Sequence, residues 1–258
     1  MSIDFDLDRH GIATITINRP KRLNAMDREH YEGLSNAWIR VRDDSAVRVA
    51  IVTGAGDKAF STGADIKSFL TAPPGMAEMW LTQKDQLLNR GLEVWKPIIA
   101  AINGYCLGGG MTLMFATDIR IAADHAEFGL SEVKRGVVAG NGGTQRVLSQ
   151  LPYAIGMEML LTGERIDAQA AARWGLINRV VPKEDLMGEA HRVARSIAAN
   201  APLAVQASKE LAIRAREMPL AAGLRLEQVA NRLLAFTEDA KEGPAAFAEK
   251  REPDFKGA

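Results

Sequence analysis

Strand signals stop at residue 181. Before that point short apolar or β-branched runs alternate with helical stretches, and beyond it every stretch reads as helix. A chain in that order must first build an α/β core and then add a purely helical portion, because each element buries its apolar face against a neighbouring layer. Residues 3–8 and 12–17 read as a hairpin turning at Arg9-His10-Gly11. Further strands are expected in VRVAIVTG (47–54), at the start of AFSTGADIK (59–67), in PIIAAING (97–104), IRIAA (119–123), AEFGL (126–130) and INRVV (177–181). Helices are expected from an Asp27 N-cap to about Val41, and over 75–95 with Trp80, Leu87, Leu88 and Leu92 on its apolar side. GTQRVLSQL, AIGMEMLLTG and AQAAARWGL read as three more, the last capped by Asp167 and ended by Gly175. The tail reads as helices over 186–199, 203–217, 219–236 and 240–249. The expected division is a core over 1–195 and a C-terminal helical region over 196–258. Leu220, Leu224, Leu226, Val229, Leu233 and Leu234 in that region either cover their own domain or pack on a neighbouring copy.

Charge narrows the function classes. The 258 residues carry 32 Lys+Arg and 32 Asp+Glu, a net charge of zero. Nothing argues for nucleic acid or for a membrane surface. Pro97 to Thr117 carry no charge, which is long enough to span a bilayer. Asn103 and four glycines interrupt that stretch, so it reads as a buried strand, a turn and a helix start. The acidic, alternating MSIDFDLDRHG reads as neither a signal nor a transit peptide. The single cysteine, Cys106, excludes a disulfide framework and a thiolate metal site, and fits a reducing cytoplasm. It lies in an apolar stretch with no histidine near it, as a small hydrophobe would. His10, His30, His125 and His191 are not spaced for a metal.

Two strand-to-helix junctions are rich in glycine, STGADIK and LGGGMT. A helix start leaves backbone N–H groups unpaired, and two such donors aimed at one point would hold a carbonyl oxygen that becomes an enolate. Glycines 108, 109 and 110 allow a ligand close to the backbone. No Gly-Lys-Ser/Thr follows, so this is no phosphate loop, and the spacing misses the dinucleotide fingerprint.

NRPKRLNAM, AFSTGADIK, PIIAAINGYCLGGGMTL, ATDIRIAADHAEFGLSEVKRG, GNGGTQRV, LLTGERIDAQAAARWGLINRVVP and AFAEKREPDF follow one another along nearly the whole chain. In that order they resemble the enoyl-CoA hydratase/isomerase (crotonase) family. The resemblance implies an α/β spiral of ββα units with C-terminal helices that mediate a trimer, two trimers commonly stacking into a hexamer. It implies an acyl-CoA thioester substrate and no metal or redox cofactor. It implies an oxyanion hole from the N–H groups of Ala64 and Gly109, and a CoA site that draws on Lys21, Lys58, Asp65, Ile66 and Lys67. Phe247 and Lys250 would reach the CoA of a neighbouring subunit.

The family's hydratases use two glutamates, one of which falls at Glu132 here. The other position is Thr112, whose hydroxyl is no base near neutral pH. One carboxylate suffices to move a proton between carbons through a dienolate, so the resemblance implies Δ3–Δ2 isomerisation with Glu132 as acid and base. Its carboxyl is expected half-buried with a raised pKa. Two other readings stand beside it: a hydratase or related lyase on a specialised substrate, with Thr112 orienting water, and a non-catalytic acyl-CoA-binding protein. Asn141 is either an Asn-Gly turn residue or a polar group in the acyl pocket. Met111, with Met76, Met79 and Met114, is a candidate wall of that pocket.

Overall fold

The architecture is that of a computed structural model, which describes residues 2–71, 75–76 and 86–258. Ten strands form two sheets: β1 (Ile3–Leu7), β2 (Ile12–Ile17), β3 (Val49–Gly54), β4 (Ala59–Ser61), β5 (Ile98–Ile102), β6 (Tyr105–Leu107), β7 (Ile119–Ala123), β8 (Glu127–Gly129), β9 (Ile166–Asp167) and β10 (Arg179–Val181). The six-stranded sheet runs β1-β2-β3-β5-β7-β10, and the four-stranded sheet runs β4-β6-β8-β9. The hairpin β1–β2 is antiparallel, and from β2 onward the large sheet is parallel. The pairs β3/β4, β5/β6 and β7/β8 each place their first strand in the large sheet and their second in the small one. Helices α2 (Ile66–Thr71) and α3 (Gly109–Phe115) follow the first two pairs. This is the expected winding of ββα units. Asn103 pins one corner of the winding: its side chain accepts from Gly54 N–H at 3.2 Å and donates to the carbonyls of Gly54 and Gly56 at 2.7 Å.

The central strands read as unbroken apolar runs because both their faces are covered. Alternate residues serve different cores. Ala50 and Val52 of β3, with Ile98, Ala100 and Ile102 of β5, face the main core between the layers. Val49 and Ile51, with Ile99 and Ala101, face the other way and pack on Leu186, Ala190, Val193, Ala194 and Ala198. Those five residues lie on one side of α7 (Leu186–Ala198), counting after α1 (Arg28–Asp43), α4 (Gly143–Gln150), α5 (Tyr153–Thr162) and α6 (Ala168–Arg173). Arg120 is buried beneath α3 and donates to the carbonyls of Met114, Phe115 and Thr117. It thereby neutralises the carbonyl end of the helix that starts at the glycines.

Asp27 caps α1 and Asp167 caps α6, as the sequence predicts. Two strands escape the sequence reading, β6 and β9. Each has three residues or fewer, too few to show an alternation. The helix expected over 75–95 is not present across its described end. There Leu88–Arg90 form a single 3₁₀ turn, closed by Gly91 at φ 94°. The remainder, with Trp80 and Met79, lies outside the described residues, and Met76 is exposed. Cys106 and Met114 are buried in the main core. No described helix is long and apolar enough to cross a membrane.

The tail forms α8 (Pro202–Arg214), α9 (Leu220–Leu234) and α10 (Asp239–Glu249). Neither α8 nor α9 has a buried residue. Leu220 is 78% exposed, Leu233 67% and Phe236 83%, while Leu226 and Leu234 are half-buried. This chain alone therefore leaves much of the apolar side of its tail uncovered.

Candidate active site

The two glycine junctions come from different ββα units and meet. Met26 donates to Gly63 O and accepts from Asp65 N–H, both at 2.8 Å. In that parallel bridge the N–H of Ala64, between the two bonded residues, points away from Met26. Gly109 opens α3, so its N–H has no acceptor within the helix. The approach is close enough to exclude side chains. A Cβ on Gly63, which sits at φ +88°, would lie 2.5 Å from Gly109 N. A Cβ on Gly109 would lie 3.4 Å from Ala64 N and 3.4 Å from the Tyr31 hydroxyl.

The 19–26 loop holds the first junction in place. Asn24, in the left-handed conformation, donates to the carbonyls of Ala55 and Ala59. The buried Ser61 hydroxyl donates to Asn24 O at 2.8 Å and accepts from Gly63 N–H at 3.1 Å. Arg19 binds Asp65 at 2.8 Å and Asp27 at 3.3 Å, joining the acidic residues at the starts of α2 and α1.

Glu132 follows β8 and begins a 3₁₀ turn. Its Oε1 lies 3.2 Å from where a Cβ on Gly108 would be. Its Oε2 is buried with no hydrogen-bond partner among the described residues. Burial pushes this carboxyl above the ordinary glutamate range, while a hydrogen bond from its own backbone N–H and the charge of Arg135 pull it partly back. A buried carboxyl with one oxygen unpartnered beside a cleft is poised to take a proton and to give it up.

Glu132, Ala64, Gly109, Thr112 and Asn141 line one cleft of about 550 Å³. Thr112 is on the same helix as Gly109, one turn on. Its hydroxyl donates to Gly109 O at 3.0 Å and accepts from Asn89 Nδ2 at 3.1 Å. Asn141 is a turn residue at the edge of the cleft. It sits at φ 53° before Gly142 in the expected turn, and it borders the cleft, where its Oδ1 accepts from Arg90 Nε at 2.9 Å. Ile66 lines the cleft as well.

Other expected residues stand elsewhere. Met111 is fully buried in the main core, since α3 turns Gly109 and Thr112 to the cleft and Met111 away from it. Asp65 is engaged with Arg19 and accepts from the N–H groups of Lys67 and Ser68 at the start of α2. Lys21, Lys58 and Lys67 are exposed and lie outside the cleft lining, though Lys21 is two residues from Leu23 and Lys67 adjoins Ile66, both of which line it. Phe247, 86% exposed on α10, and Lys250 at the end of that helix are likewise outside the lining. Sequence reasoning missed Tyr31, Tyr105, Ser131, Arg135 and Arg165, which line the cleft, and Asn89, which reaches Thr112 from the 3₁₀ turn Leu88–Arg90. Only Ser131 and Arg135 had a local signal, their nearness to Glu132.

The family model described as enoyl-CoA hydratase/isomerase matches residues 8–258. The chain is 44% identical to an (E)-benzylidenesuccinyl-CoA hydratase of Thauera aromatica over the full length of both. It is 42% identical to a carnitinyl-CoA dehydratase of Salmonella arizonae, again over the full length of both. Among solved structures it superposes on an enoyl-CoA hydratase from Bacillus anthracis with a TM-score of 0.91 at 35% identity, covering all of both chains. With an enoyl-CoA hydratase from Mycobacterium tuberculosis the TM-score is 0.90 at 36% identity, covering 100% of this chain and 99% of the other.

Proposed function

The chain belongs to the enoyl-CoA hydratase/isomerase family, and from that premise we propose that it adds water to, or removes it from, the acyl group of a specialised acyl-CoA. Glu132 serves as the single acid and base. Isomerisation, favoured by the sequence because Thr112 replaces an acid, becomes the second reading. What shifts the balance is full-length similarity to a hydratase and a dehydratase. The observation that carries the mechanism is the buried, unpartnered oxygen of Glu132 in the same cleft as Ala64 and Gly109.

In the forward direction the thioester oxygen lies between the N–H groups of Ala64 and Gly109. Water attacks the β-carbon while Glu132 takes its proton, forming the C–O bond. The π electrons move to the α-carbon and onto the thioester oxygen, where the two N–H groups stabilise the enolate charge. The protonated Glu132 then delivers that proton to the α-carbon, and the carboxylate is regenerated. Isomerisation would instead have Glu132 take a proton from the α-carbon and return it to the γ-carbon, with the dienolate between those steps held by the same two N–H groups and no water added. Lys21, Lys58 and Lys67 are proposed to border the CoA track, alongside Ile66. Phe247 and Lys250 are proposed to reach the CoA of a neighbouring copy in a trimer, or in a hexamer of two trimers.

Incubation in D2O with trans-2-enoyl-CoA, trans-3-enoyl-CoA and (E)-benzylidenesuccinyl-CoA, followed by mass spectrometry, tests the reading. Gain of water on either conjugated substrate is the expected result. A shifted double bond with deuterium uptake and no water gain would establish isomerisation instead.

A further inference from the structure

The Thr112 hydroxyl has one proton and two lone pairs, and the fold has already directed the proton. It points at the Gly109 carbonyl, 3.0 Å away, an atom that can only accept. The Asn89 side chain must then meet the same oxygen with its amide nitrogen, at 3.1 Å. Thr112 is 1% exposed and Asn89 6%. Asn89 is itself held, because Arg146 Nη1 donates to its backbone carbonyl at 3.1 Å and to that of Asn141 at 3.2 Å. One lone pair of Thr112 Oγ1 is left over, on a residue that borders the cleft with Glu132.

We propose that Asn89 is a positioning residue for the reacting water: it fixes the Thr112 hydroxyl as a pure hydrogen-bond acceptor in the cleft. The proposal rests on the hydration reading. A water can then donate one O–H to Thr112 Oγ1 and the other to Glu132, which leaves its own lone pairs free for carbon. A hydroxyl able to rotate would also donate to the water, and would occupy the electron pair needed for attack. Thr112 transfers no proton in this arrangement. Glu132 takes the water proton as the C–O bond forms and returns it to the α-carbon, so one carboxylate closes the cycle.

The full-length protein and its Asn89→Ala, Thr112→Val and doubly substituted variants are compared on two rates. One is water addition to crotonyl-CoA and (E)-benzylidenesuccinyl-CoA. The other is α-deuterium exchange of butyryl-CoA in D2O, which needs a base and the two backbone N–H groups but no oriented water. The ratio of hydration to exchange is expected to fall by about tenfold in each single variant, the worth of one ordinary hydrogen bond. It is expected to fall no further in the double variant, because Asn89 acts through Thr112. Thr112→Val is nearly isosteric, so it carries the test even where Asn89→Ala disturbs the loop. A variant damaged only in packing lowers both rates together and leaves the ratio alone. An unchanged ratio in Thr112→Val, or additive losses in the double variant, would overturn the proposal. A wild type that exchanges deuterium but hydrates neither substrate refutes the hydration reading itself, and the proposal with it.

Discussion

Glu132 carries the chemistry proposed for this chain, and its environment sets two expectations. Glu132→Gln keeps the shape and removes the base, so turnover should fall by about 10²–10⁴-fold. Acyl-CoA binding, measured by calorimetry, should persist. If turnover persists as well, the assignment of the base is wrong. The pH profile follows from the raised pKa. The carboxylate form is required to accept a proton, so kcat/KM for hydration should rise through an acid limb lying above the ordinary glutamate range. The same shift has a sign for stability. The folded state holds the Glu132 proton to higher pH than the unfolded chain does, so between the two pKa values folding binds a proton. Stability from this group is therefore greatest below the unfolded pKa and is lost as pH rises through the folded one. Glu132→Gln should raise the melting temperature near neutral pH and leave it nearly unchanged at the most acidic pH the fold tolerates.

At the scale of elements, the junction between Gly63 and Gly109 leaves no room for a side chain. Gly63→Ala would put a methyl 2.5 Å from Gly109 N at a φ of +88°. The left-handed conformation alone costs about 1–2 kcal/mol for a residue with a Cβ. Lower stability in urea, together with a loss of kcat larger than that of KM, is expected. Loss of stability with full kcat would mean that the two amides do not act together. The glycine junctions, the capping aspartates and the parallel strands were legible because each has a local signature: Gly before a helix, Asp three residues before a paired N–H, and apolar runs of five or six. The Asn89–Thr112 contact was not legible. It joins residues 23 apart in sequence, and the sequence places Asn89 within the helix expected over 75–95, between Leu88 and Leu92, where nothing marks an asparagine as a partner for a distant hydroxyl. Met111 misled for the reverse reason. Its neighbours at 109 and 112 face the cleft, and helical phase alone sends it to the core.

For the whole molecule, the unanswered surface is the tail. Leu220, Leu233 and Phe236 are more exposed than a solitary domain needs, and a second copy is the occupant proposed for that face. Leu233→Asp should lower the molar mass found by light scattering after size exclusion, with hydration falling alongside if Phe247 and Lys250 complete a neighbour's site. A variant of unchanged mass would move the interface elsewhere. That arrangement would also explain why Phe247 and Lys250 lie outside the cleft of their own chain.

The two N–H groups that meet beside Gly63 belong to the main chain, and every residue except proline brings one. Replacing a side chain at Ala64 or elsewhere around the cleft can therefore alter which protons move and which acyl group fits, yet leave both donors in being. With the thioester held as proposed, a lineage built on such a pair could change its reaction one residue at a time and keep that hold as long as it keeps the fold.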